Sequence, residues 1–91
     1  MDFDNKTVII TGAASGIGWE CCRAFGQNGA KIVMCDVNED AMAQKAEQLK
    51  AENIAVTAVK TDVRSYDAVA SACKKAYETF GSIDIVVCCA G

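Results

Sequence analysis

The sequence contains no histidine and no Cys-x-x-Cys pair. The first absence removes the usual general base of neutral pH. Together the two absences remove the ligand spacing of a zinc site. Positive charge is scarce as well: nine Lys and Arg stand against twelve Asp and Glu, for a net charge of −3. Nucleic-acid binders normally carry a basic face, so that class is excluded. No apolar run approaches the roughly 18 residues of a membrane span. The acidic opening Met1-Asp2-Phe3-Asp4 lacks the basic and then apolar start of a secretory signal. A cytoplasmic location is the expectation that follows. What is present is 52% hydrophobic and 23% charged residues over 91 positions, a globular composition with room for one domain.

Cysteine is plentiful, with six residues. Cys21 and Cys22 are adjacent, as are Cys88 and Cys89, while Cys35 and Cys73 sit inside apolar periods. With no secretory signal, reduced thiols serving as small core residues are the better account than disulfides.

The organising stretch is Thr11-Gly12-Ala13-Ala14-Ser15-Gly16-Ile17-Gly18. It follows the apolar run Thr7 to Ile10 and opens a helical pattern near Gly16. A strand, a glycine-rich turn and a helix start form a phosphate-binding geometry, because the free N–H groups and positive end of the helix face the anion. Gly12 allows a sharp turn. Gly16 allows the backbone to approach a pyrophosphate, and Gly18 allows the helix to lie close to the strand below. The spacing is Gly-x-x-x-Gly-x-Gly, not the standard Gly-x-Gly-x-x-Gly. This run resembles the Thr-Gly-x-x-x-Gly-x-Gly cofactor signature of the short-chain dehydrogenases/reductases.

The rest of the chain alternates strands and helices. Lys6 to Thr11 reads as a strand buried on both faces, since its β-branched run shows no polar alternation. Gly16 to Asn28 reads as a helix with Ile17, Cys21, Ala24 and Phe25 on one face and Gly29 as its stop. Trp19 falls opposite that face, covering another element or a partner, or lying exposed. Ala30 to Asp36 is a second strand. Asn38 caps a helix running to about Glu52, with Met42, Ala46 and Leu49 inward. Ile54 to Lys60 alternates more, as a strand nearer a sheet edge does. Ser65 caps a further helix, whose apolar stripe comprises Tyr66, Val69, Ala70, Cys73, Ala76, Tyr77 and Phe80, stopped by Gly81. Ile83 to Cys89 is the fourth strand. This βαβαβαβ pattern predicts an α/β fold: a Rossmann-like parallel sheet in the order 3-2-1-4, part of a doubly wound domain, with the cofactor at the carboxyl ends.

Asp36 lies about 20 residues past the glycine loop, where a carboxylate accepts from the adenosine ribose hydroxyls. A 2′-phosphate there meets like charge, and neither Val37 nor Ser15 offsets it. The expectation is NAD rather than NADP. The family resemblance implies further contacts: Asp62 and Val63 at the adenine, Ser15 and Ile17 lining the pyrophosphate site. It also implies that Ala90 and Gly91, with Cys89 before them, approach the cofactor ribose. Family members usually carry Asn-Asn-Ala-Gly there; this chain has Cys88-Cys89-Ala90-Gly91.

The family's catalytic Tyr-x-x-x-Lys pair occurs nowhere in the 91 residues. Tyr66 is followed four residues on by Ala70 and Tyr77 by Gly81. The resemblance covers residues 1–91 as the first part of the family's domain, an incomplete dinucleotide-binding segment with no catalytic residue. The fourth strand would then present an unpaired edge, which invites self-association or a missing second half. Three readings stand: the NAD-binding segment of an alcohol/ketone oxidoreductase, a non-catalytic nucleotide-binding or oligomer-forming module, and a structural interaction domain.

Overall fold

Thr7, Val8, Ile9 and Ile10 lead the strand that the rest of the molecule is laid against, β1 (Thr7–Thr11), which is buried at every position. The computed structural model describes residues 2–89. After β1 come α1 (Gly16–Gln27), β2 (Lys31–Asp36), α2 (Glu39–Ala51), β3 (Val56–Lys60), α3 (Tyr66–Phe80) and β4 (Ile85–Cys88). The four strands form one parallel sheet in the order β3-β2-β1-β4, as the alternating pattern predicts. Among the described residues, no helix is long and apolar enough to cross a membrane.

The period-2 alternation of the strands sorts the core into two layers. Val8, Ile10, Ile32 and Met34 face α1 and α2, where they meet Cys22, Met42, Ala46 and Leu49. Ile9, Val33 and Cys35 face α3, where they meet Ala72 and Ala76. Right-handed crossovers explain the split. The steps from β1 to β2 and from β2 to β3 run one way across the sheet and put their helices on one face. The step from β3 back to β4 runs the other way and puts α3 opposite.

Two helical faces differ from their expected orientation. The buried residues of α1 are Gly18, Cys22 and Gly26, with Cys21 and Phe25 only half-buried, Ala24 exposed and Ile17 76% exposed. The cause is backbone proximity. A Cβ on Gly18 would overlap the Gly12 carbonyl, and one on Gly26 would stand 2.9 Å from Ile54 side-chain carbons. The face without side chains is the one that comes closest, and apolar periodicity does not register it. On α3 the buried residues are Ala72 and Ala76, flanked by half-buried Val69, Cys73 and Phe80. Ala70 is exposed, and Tyr66 and Tyr77 are 85% and 63% exposed. The alanines let the helix lie close to the sheet, and the tyrosines stay at its margins.

Element ends are otherwise close to expectation. The strands begin one or two residues later than the apolar runs. Ile54 is spent under Gly26 rather than in β3. Asn38 caps α2 by accepting from the Ala41 N–H at 3.1 Å, and Ser65 caps α3 by accepting from the Ala68 N–H at 3.2 Å. Trp19 covers another element: it is half-buried against the main core, with Lys45 Nζ 5.0 Å from its ring centroid. β3 lies at one border of the sheet, as its alternation implies, and β4 lies at the other.

Asp84 ties β4 to the start of β1. Its Oδ2 accepts the Thr7 N–H at 2.8 Å and the Ser82 hydroxyl at 3.1 Å, while its own N–H donates to the Thr7 carbonyl at 3.0 Å. The Thr7 N–H, then Ser82 and the nearby Lys6 and Lys31 hold its carboxyl below the usual 3.8. A carboxyl depressed on folding stabilises fully above its unfolded pKa, and that stabilisation is lost as pH falls through the folded value. Urea midpoints should therefore hold from neutrality to about pH 5 and fall as the pH drops below about 4. Asp84→Asn should flatten part of that fall. An unaltered acid limb in the variant would show that Asp84 is not its source.

Candidate dinucleotide site

The strand register brings the candidate residues to one end of the sheet. Thr11 pairs with Cys35 and with Cys88, and Asp36 pairs with Lys60. The residues just beyond the strand ends therefore share the carboxyl border of the sheet: the glycine loop after β1, Asp36 and Val37 at β2, Thr61 to Arg64 after β3, and Cys89 after β4. This is the border at which open parallel sheets take ligands.

The loop after β1 has φ of +64° at Gly12 and +56° at Gly16, the left-handed conformation that side-chained residues rarely adopt. The two later glycines then separate in role. A Cβ on Gly16 would meet nothing within 4 Å, whereas one on Gly18 would strike the Gly12 carbonyl and approach the Ala13 Cα to 3.2 Å. Gly16 therefore faces open ground over the first turn of α1, and Gly18 is a contact between helix and loop. The expected contact of Gly18 with the strand is instead one with the loop that leaves the strand. Ser15 is the N-cap of α1, with extended backbone and no side-chain capping bond. The first-turn amides of a helix have no partner within the helix, so this loop presents donors and the positive helix end toward solvent. Ile17 lies exposed beside it.

A cleft of about 300 Å³ adjoins the loop, lined by Gly12, Asp36, Val37, Thr61, Asp62, Val63 and Arg64. Its two carboxylates are held differently. Asp36 Oδ2 accepts the Ala14 N–H at 3.0 Å, and Oδ1 accepts the Asn38 N–H at 2.9 Å. Asp62 is paired with Arg64. Its Oδ1 accepts from the Arg64 N–H and Nε at 3.0 Å each, and its Oδ2 from Nη2 at 2.9 Å. These bonds hold the Asp62 carboxyl down at about 2. Sequence reasoning named Asp36, Val37, Asp62 and Val63 but missed Arg64. Its signal was available, since an Asp two residues before an Arg can accept both its backbone and its side-chain N–H in an Asx turn.

At the fourth strand, the Cys89 N–H donates to Thr11 Oγ1 at 3.1 Å, and Thr11 Oγ1 donates to the Val87 carbonyl at 3.4 Å. The backbone there is fixed by a threonine hydroxyl, so it keeps its place without the amide side chains the resembling family usually has. Ala90 and Gly91 lie outside the described residues. Every described cysteine is a free thiol. Burial pushes the Cys22 thiol up to about 12 and raises that of Cys35; burial, then Cys89, raises Cys21. The small-core reading holds for Cys22 and Cys35, while Cys88 is exposed and Cys21, Cys73 and Cys89 are half-exposed. A larger groove of about 530 Å³ opens among Asn5, Gly29, Lys31, Asn53 and neighbours. It lies at the amino end of the strands, away from the glycine loop.

Comparison with known proteins places this geometry. The family model for short chain dehydrogenase matches residues 6–91. The oxidoreductase UcpA of Salmonella typhimurium is 42% identical over 86 residues, covering 94% of this chain and 32% of that protein. The 1-deoxy-11-beta-hydroxypentalenate dehydrogenase of Streptomyces arenae is 40% identical over 86 residues, covering 94% and 30%. A short chain dehydrogenase/reductase from Burkholderia phymatum, solved in complex with NAD, superposes with a TM-score of 0.91 at 35% identity, covering 94% of this chain and 31% of that one. Hydroxysteroid dehydrogenase from Escherichia coli superposes at 0.94 with 32% identity, covering 98% and 38%. The chain spans about a third of the length of the curated relatives it matches.

Proposed function

Because the chain belongs to the short-chain dehydrogenase/reductase family, we propose that residues 1–91 are the NAD-binding segment of a cytoplasmic oxidoreductase acting on an alcohol/ketone pair. The observation that carries this reading is the conjunction at one sheet border of the open ground over Gly16 with the cleft between Asp36 and Asp62. In it, the pyrophosphate lies over Gly12, Ser15, Gly16, Ile17 and Gly18. The adenosine ribose meets Asp36 beside Val37. The adenine meets the Asp62 carboxylate and the Val63 N–H, and the family resemblance assigns Cys89, Ala90 and Gly91 to the cofactor ribose.

The residues present fit such a cofactor: helix-start donors for the pyrophosphate, a carboxylate for the ribose, and a largely apolar cleft for the base. When bound, the cofactor supplies the hydride chemistry, and this segment binds and orients it. We assign no catalytic residue here, since no Tyr-x-x-x-Lys pair stands in the sequence. NAD is favoured over NADP because Asp36 repels a 2′-phosphate and Ser15 and Val37 bring no compensating charge.

The α3 face supports a protein partner as well. An apolar cavity of about 240 Å³ lies among Ile9, Cys35, Val69, Val86 and Cys88, with Ile83 and Val86 exposed in and beside β4. Further chain of the same domain is the cover we favour, and a second copy is the oligomer-forming alternative. Concentration-dependent dimerisation in sedimentation would select the alternative.

Calorimetric titration with NAD and NADP tests the cofactor reading. NAD should bind more tightly than NADP. Asp62→Ala should weaken NAD by about tenfold, the worth of a hydrogen bond to a charged acceptor. Binding of neither dinucleotide by the wild-type chain would sink the proposal.

A further inference from the structure

The glycine-rich loop has few hydrogen bonds of its own. Positive φ at Gly12 and Gly16 takes both its ends out of helix and strand geometry, so the amides between them have no ladder to join. Ala13 and Ala14 are nevertheless buried, at 0% and 7% exposure, and a buried N–H needs an acceptor. Both acceptors come from the end of β2. The Ala13 N–H donates to the Cys35 carbonyl at 3.1 Å. The Ala14 N–H donates to Asp36 Oδ2 at 3.0 Å, while Asp36 Oδ1 accepts the N–H of Asn38, the cap of α2, at 2.9 Å. One carboxylate ties the loop before α1 to the turn before α2.

We propose that Asp36 is a positioning residue for the phosphate cradle as well as the residue that faces the ribose, so that the two subsites are coupled through one carboxylate. The chemistry allows both tasks. Each carboxylate oxygen has two lone-pair sites, so each keeps one for a ribose hydroxyl after its amide is bound. The ligand part of this inference rests on the dinucleotide reading above; the clamp itself does not.

The coupling has a consequence for cofactor choice. Were Asp36 only a ribose contact, its removal would weaken NAD and relieve the repulsion of a 2′-phosphate, so NADP would gain. As a clamp on the cradle, its removal also loosens the pyrophosphate site that both share, so NAD loses more than the ribose contacts are worth and NADP gains less than relief of the repulsion would give.

The test uses Asp36→Ala and Asp36→Asn in the 91-residue chain. Amide exchange is followed without ligand by NMR, with Ile10 in the centre of β1 as the reference for global opening, and NAD and NADP are titrated by calorimetry. In Asp36→Ala, Ala14 exchange relative to Ile10 should accelerate by about tenfold or more. Asp36→Asn, which keeps one acceptor oxygen, should show a smaller acceleration. NAD affinity should fall by more than about a hundredfold, the worth of two ribose hydroxyl bonds, because the cradle is lost with them. Unchanged Ala14 exchange overturns the proposal, and so does a smaller NAD loss in the alanine variant. If Asp36→Ala does not fold, Asp36→Asn decides on the same two readouts. If the wild-type chain binds neither dinucleotide, the cofactor reading fails, while Ala14 exchange still decides the clamp.

Discussion

Gly18→Val is expected to abolish the cooperative folding of this chain. A Cβ at that position overlaps the Gly12 carbonyl oxygen and stands 2.6 Å from its carbon. Both atoms are backbone, so no side chain can swing aside. Relief requires α1 to lift from the loop or the loop to leave Asp36 and Cys35, whose acceptors hold it. Two effects oppose each other. Replacing a helical glycine gains up to about 1 kcal/mol of helix propensity in the most favourable case, alanine. Overpacking typically costs about 1–3 kcal/mol and more where backbone must move, and valine adds two methyl groups to the clash. The cost wins, and a chain of this size has little stability to lose. Urea unfolding followed by circular dichroism should show a loss above about 3 kcal/mol or no transition at all. Gly18→Ala should fall in the same direction by less. Stability of Gly18→Val within about 1 kcal/mol of wild type would mean that helix and loop are not in the contact described.

Gly16→Val is expected to leave the fold largely intact and remove dinucleotide binding. Its φ is +56°, and an added Cβ meets nothing within 4 Å. The stability cost is then the left-handed backbone alone, about 1–2 kcal/mol. The branched side chain, however, takes the ground over the first turn of α1 where the pyrophosphate is proposed to lie. Loss of that approach should weaken NAD by about a hundredfold or more, equivalent to about 2.7 kcal/mol. Calorimetry with NAD, beside a urea titration of the same sample, separates the two quantities. NAD affinity kept within about threefold would move the phosphate away from the loop and undo the site. The two glycines stand two positions apart, yet one should fail in the unfolding experiment and the other in the binding experiment.

Much of this molecule was legible before folding. The β-branched run at Thr7 to Ile10, the caps Asn38 and Ser65, and the alternation in Ile54 to Lys60 are local signals, each acting within a few residues of itself. Their order as four strands and three helices calls for a parallel sheet with right-handed crossovers, and the glycine signature selects the order 3-2-1-4 among the arrangements these allow. The inward residues of α2, Met42, Ala46 and Leu49, also follow from spacing alone. The glycine motif marked the site because glycine spacing is itself a statement about backbone conformation.

The orientation of α1 and α3 was not legible, for one physical reason. Apolar periodicity reports where large side chains fall, while these helices approach the sheet and loop along their smallest residues. Gly18, Cys22 and Gly26 on α1, and Ala72 and Ala76 on α3, set the distance of approach. Ile17, Tyr66 and Tyr77 are left in solvent as a result.

The sequence by itself determined the elements, their order in the sheet and the end of the sheet at which a dinucleotide would bind. Only the tertiary structure decided what each polar group there is doing. It turned Asp36 toward the Ala14 amide and fixed Cys89 by the Thr11 hydroxyl, partnerships between residues 22 and 78 positions apart. Such contacts exist only once parallel register has aligned the strand ends. A carboxylate's type can be read from a sequence, but its partners depend on what the fold sets within 3 Å of it.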